Sequence, residues 1–101
     1  MQPEPRVQVE RDEGGLTVTL SGDWVIDYAV ALEGRIEDLL REARGVARVT
    51  IQGGALHRLD TTGAWILQGL LRTLAERGIA VERTGFREAH ARFLRRIEEV
   101  G

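Results

Sequence analysis

Leu59-Asp60-Thr61-Thr62-Gly63-Ala64-Trp65-Ile66-Leu67 is the stretch on which the fold turns. It marks the place where extended chain hands over to a helix. Asp and Thr are strong N-cap residues, because their side-chain oxygens accept from the unpaired N–H groups of a first helical turn. Gly63 permits a close backbone approach. Ile66, Leu67, Leu70, Leu71 and Leu74 then recur at three- and four-residue spacing, and Gly78 stops the run. That pattern predicts an amphipathic helix from about Thr62 to Arg77.

The neighbouring segments alternate with this helix. Val46 to Ile51 is compact and β-rich, which reads as a central strand, and Gly53 to Leu59 reads as a loop. Further upstream, Leu32, Ile36, Leu39, Leu40 and Ala43 mark another amphipathic helix, with Gly45 at its end. Val7 and Val9 alternate with polar residues, and Leu16 to Leu20 does the same. The turn chemistry of Asp12-Glu13-Gly14-Gly15 joins these two runs as an antiparallel hairpin, and Ser21-Gly22-Asp23 ends the second. Downstream, Ile79 to Glu82 predicts a fourth strand and Glu88 to Val100 a last helix. The order is β-β-α-β-α-β-α. Strands joined through helices run parallel by right-handed crossovers, so the expected fold is α/β: a small mixed sheet with an antiparallel amino-terminal edge hairpin and helices packed on it.

Composition narrows the chemistry. The chain has 101 residues and a formal charge of −2, with no Cys, and every basic side chain is Arg. The length suits one domain, read as a disordered lead-in over residues 1–6 followed by a single domain over residues 7–101. Without Cys there is no disulfide, thiolate metal site or Cys nucleophile. Without Lys there is no phosphate-binding Walker lysine and no Schiff base. The near-neutral balance opposes general nucleic-acid binding. Met1 to Arg6 lacks the apolar core of a signal peptide, and the apolar run Ala64-Trp65-Ile66-Leu67 falls far short of a membrane span. The expected location is cytoplasmic.

With the element order in place, Leu20-Ser21-Gly22-Asp23-Trp24 and Leu59-Asp60-Thr61-Thr62-Gly63-Ala64-Trp65-Ile66-Leu67 resemble the STAS domain, the module shared by sulfate transporters and anti-sigma-factor antagonists. The resemblance runs from Val7 to about Val100. Within that family the two stretches look most like the STAS modules of Mla-type lipid-transport ABC systems. That narrower resemblance implies a non-enzymatic accessory module that docks on the transporter ATPase and permease, reaching the membrane only through the permease. The alternative it leaves is an anti-sigma-factor antagonist that meets an anti-sigma factor kinase. The phosphorylatable Ser of such antagonists aligns with Thr61. Ile51-Gln52-Gly53-Gly54 lacks the carboxylate or amide that many antagonists carry near the end of the third strand. No cofactor or metal is implied.

The residues that could carry contact are Asp60, Thr61, Thr62, Gly63, Trp65, Gly69 and Arg72. The first four either cap a helix and nothing more or form part of a docking corner. A phosphate on Thr61 would sit at a helix N-terminus, favoured by its N–H groups and opposed by the Asp60 charge. On a helical wheel Trp65 falls on the polar side with Gly69 and Arg72. Either these form a docking patch, since Trp and Arg are common interface anchors, or Trp65 folds over a loop near Trp24 or Leu56.

Other groups point less far. Ser21, His57 and Asp60 form a hydrolytic triad only on paper, without a nucleophile elbow. His57 and His90 lack further ligands at metal spacing. His90 points toward the apolar face of its helix. Gly53-Gly54 lacks the rest of a phosphate-loop pattern. The Arg-rich last helix reads as a solvated face, or as one close to anionic lipid if a permease follows.

Overall fold

The computed structural model describes residues 3 to 100. Its elements are β1 (Arg6–Asp12), β2 (Gly15–Trp24), a short 3-10 turn (Ile26–Tyr28), α1 (Ala29–Glu42), β3 (Arg48–Leu59), α2 (Thr61–Glu76), β4 (Ala80–Thr84) and α3 (Glu88–Val100). The sheet order is β1-β2-β3-β4. β1 and β2 are antiparallel, while β2–β3 and β3–β4 are parallel. The expected α/β architecture is the one observed.

Alternation along the strands decides where the core lies. Leu16, Val18 and Leu20 of β2 and Val49 and Ile51 of β3 are buried beneath Leu32, Ile36 and Leu39 of α1 and Leu67, Leu70, Leu71 and Leu74 of α2. Leu94 and Ile97 of α3 complete that layer. Residues one step along the strands are polar: Gln8, Glu10, Thr17, Thr19, Thr50 and Gln52. Thr19 Oγ1 donates to Gln52 Oε1 across the two strands at 2.9 Å. One face of the sheet is thus apolar and covered, and the other is polar.

Three expectations need correction. Ser21-Gly22-Asp23 does not end β2, which runs on to Trp24 and stays paired with β3. Gly53 to Leu59 is not a loop. β3 continues through it and pairs with β2 as far as Trp24 opposite Leu59, with register shifts between Thr19 and Ser21 and between Gly22 and Asp23. Gly53 is there for packing. A Cβ on it would lie 2.4 Å from the Phe86 ring, so the ring that follows β4 closes onto bare backbone. The lead-in is also not free chain throughout. The Pro3 carbonyl accepts from the Asp23 N–H at 2.9 Å, Pro5 is buried, and Arg6 already belongs to β1. Met1 and Gln2 lie outside the described residues.

Candidate functional site

Both α1 and α2 follow strands that run the same way, so their amino ends meet at the carboxyl end of β2 and β3. Asp60 is the N-cap of α2, and its Oδ1 accepts from the Gly63 N–H at 2.8 Å. Its Oδ2 accepts from the Ile26 N–H at 2.9 Å, and its own N–H donates to the Trp24 carbonyl at 3.2 Å. One carboxylate thereby ties the start of α2 to the end of β2. Gly63 is buried against the same strand end. A Cβ there would sit 1.9 Å from the Trp24 carbonyl oxygen.

The four corner residues therefore separate. Asp60 and Gly63 face inward and hold the corner, which removes Gly63 from any contact surface. Thr62 is half-buried, and Thr61 is exposed at the first position of α2. A partner can reach Thr61.

Trp65 lies one turn further on, 39% exposed. Its ring does not fold over a loop. It lines a groove of about 360 Å³ between α1 and α2, together with Glu33, Glu37, Leu40, Ile66 and Gly69. A Cβ on Gly69 would meet nothing, so this position is an open notch. Arg72 is exposed but outside the groove lining, and its guanidinium donates to Gln68 one turn back. The structure thus brings Trp65 and Gly69 together and leaves Arg72 beside them. The wheel could not reveal the flank of α1 that lines the groove opposite Trp65.

Sequence reasoning missed a pair close by. Asp23 is the one charged side chain buried among the described residues. Its Oδ1 lies 2.7 Å from His57 Nδ1, and its Oδ2 has no hydrogen-bond partner among the described residues. The half-exposed imidazole shields one side of a carboxylate that water cannot reach. The motif Ser21-Gly22-Asp23-Trp24 carried the signal, but the partner is 34 residues away in a segment read as loop. The triad drawn from Ser21, His57 and Asp60 does not assemble, since Asp60 is held by backbone N–H groups and His57 by Asp23. No cluster of three metal-ligating side chains exists among the described residues, and no helix is long and apolar enough to cross a membrane.

Comparison with known proteins agrees with this architecture. A family model described as "Mlab, STAS domain" matches residues 7–98. Among solved structures, a variant of RsbS from Moorella thermoacetica superposes with a TM-score of 0.75 at 20% identity, covering 91% of this chain and 77% of that one. An anti-sigma factor antagonist from Mycobacterium paratuberculosis gives 0.69 at 23% identity, over 96% and 82% of the two chains. An antisigma-factor antagonist STAS domain from Rhodobacter sphaeroides gives 0.61 at 18% identity, over 83% and 87%. No curated protein sequence matches significantly.

Proposed function

The chain belongs to the STAS family, and on that premise we propose that it is a non-enzymatic regulatory module of the anti-sigma-factor-antagonist type, working in the cytoplasm by protein contact at the amino end of α2. The observation that carries this reading is the position of Thr61. It is exposed at the start of α2, while Asp60 before it spends both carboxylate oxygens on backbone N–H groups. The corner is tied by hydrogen bonds to the end of β2, and Thr61 is accessible. A phosphate on Thr61 would place about −2 of charge on a surface shaped to dock a partner, which suits a contact that is made and released.

The test is a binding titration with the kinase-type anti-sigma factor of the same cell. Thr61→Glu is expected to weaken binding at least tenfold, and mass spectrometry is expected to find the phosphate on Thr61. Equal binding by Thr61→Glu, or phosphate only elsewhere, refutes the switch.

A second reading rests on the description of the matching family model. In it the same corner docks on the ATPase and permease of an Mla-type lipid-transport ABC system. Co-purification separates the two: a transporter ATPase as partner favours the second, a kinase the first.

A further inference from the structure

The groove between α1 and α2 has a chemistry of its own, distinct from the Thr61 corner. Its floor is apolar, from Ile36, Leu40, Ile66 and Leu70. Its α2 lip is the Trp65 indole, followed by the open notch at Gly69. Its α1 lip is acidic. Glu33 and Glu37 stand one helical turn apart, both are exposed, and neither has a salt-bridge partner among the described residues. Val30, 86% exposed, lies on the same stripe of α1 one turn earlier. Two arginines stand near the groove without lining it: Arg72 donates to Gln68, and Arg77 Nη1 donates to the Leu40 carbonyl at 2.7 Å. No cation lines the groove.

We propose that this groove receives an amphipathic helix of a partner protein, with a ridge of aliphatic side chains in the floor and arginines flanking it. Charge complementarity selects that occupant. Carboxylates at i and i+4 match basic side chains one turn apart on an opposing helix, and a guanidinium can also lie over the face of Trp65. Helix-in-groove docking uses aliphatic anchors at i, i+3, i+4 and i+7, and the Gly69 notch takes the largest of them. The inference rests on the reading that this chain works by protein contact. It does not need phosphorylation of Thr61.

The probe is a synthetic 18-residue helical peptide with a leucine ridge flanked by arginines, and its twin with glutamates in their place. The readouts are Trp65 fluorescence in a Trp24→Phe background and amide chemical shifts by NMR. The arginine peptide is expected to bind saturably, shifting Glu33, Glu37 and Gly69 amides, and at least tenfold more tightly than its twin. Glu33→Gln with Glu37→Gln should remove most of that preference, and added salt should weaken binding. Gly69→Leu, which meets open space and so leaves the fold intact, should block binding while the melting temperature holds. Equal binding of the two peptides, shifts confined to other surfaces, or a concentration-dependent dimer abolished by Gly69→Leu overturns the proposal, the last by naming a second copy as the occupant. Thr61→Glu separates the two readings. If it leaves peptide binding intact while kinase binding is unaffected, the switch fails and the groove stands. If the peptide fails while Thr61→Glu releases the kinase, the groove fails and the switch stands.

Discussion

The inward corner and the outward groove lie within about two turns of the same helix, yet their side chains are spent differently. At the corner, Asp60, Gly63, Trp24, Asp23 and His57 are committed to one another. At the groove, Glu33, Glu37, Trp65 and Gly69 have unspent surface. The difference separates positions that hold the fold from positions free to meet a partner. Mutations at the inward residues of the corner should therefore cost stability, and mutations at the outward Thr61 or in the groove should cost binding.

The sharpest way to break that division is Gly63→Ala. A methyl group 1.9 Å from the Trp24 carbonyl has to push α2 off β2. Overpacking against backbone should lower unfolding stability by about 3 kcal/mol or prevent folding, read as a loss of urea midpoint. A midpoint within experimental error of wild type would mean that the corner is loose.

His57→Ala is next. It strips the imidazole from a buried carboxylate whose other oxygen has no partner among the described residues. The cost should be about 1–2 kcal/mol, and combining it with Asp23→Asn should recover part of that in a double-mutant cycle. Strict additivity would show that the two side chains do not interact.

Trp65→Ala falls on the groove side. It should cost about 1 kcal/mol of stability or less, since the indole is 39% exposed, far below the loss expected for a core tryptophan. A loss as large as that of Gly63→Ala would move Trp65 into the structural half of the molecule.

The smallest effect concerns His90 in α3. Desolvation and the nearby Arg87 lower its pKa below 6.5. The folded state therefore holds His90 neutral where the unfolded chain has begun to protonate it. That contribution is present above pH 6.5 and is lost as pH falls through the folded value. Urea midpoints at pH 7.5 and 5 should differ less in His90→Gln than in wild type. Identical differences would remove His90 from the pH response.

Much of this was legible in the chain. Periodicity located the three helices, because a buried stripe needs apolar residues every three or four positions whatever it packs against. A cap within Asp60-Thr61-Thr62 was legible for the same local reason, and Asp60 is the one that fills it. The carboxyl half of β3 was not, because Gly53-Gly54 carries turn chemistry while the segment is a strand through its pairing with β2, far back in the chain, and Gly53 makes room for Phe86. Trp65 was rightly picked out as unusual, but its surroundings were not, since α1 flanks it from a different part of the chain. Asp23 and His57 were invisible as a pair, because nothing local links residues 34 apart.

The sequence by itself determined the element order, the burial stripes of α1 and α2, a cap among Asp60-Thr61-Thr62 and the resemblance to the STAS family, but not the stripe of α3, where Leu94 and Ile97 are buried and Val100 is exposed. Each of these depends on residues within a few positions of one another, where backbone hydrogen bonding and side-chain period act directly. Only the tertiary structure decided that Gly63 faces inward while Thr61 faces outward, that Asp23 is buried against His57, and that Glu33 and Trp65 share a groove. Those outcomes follow from the parallel pairing of β2 with β3, which brings the amino ends of α1 and α2 together from distant parts of the chain.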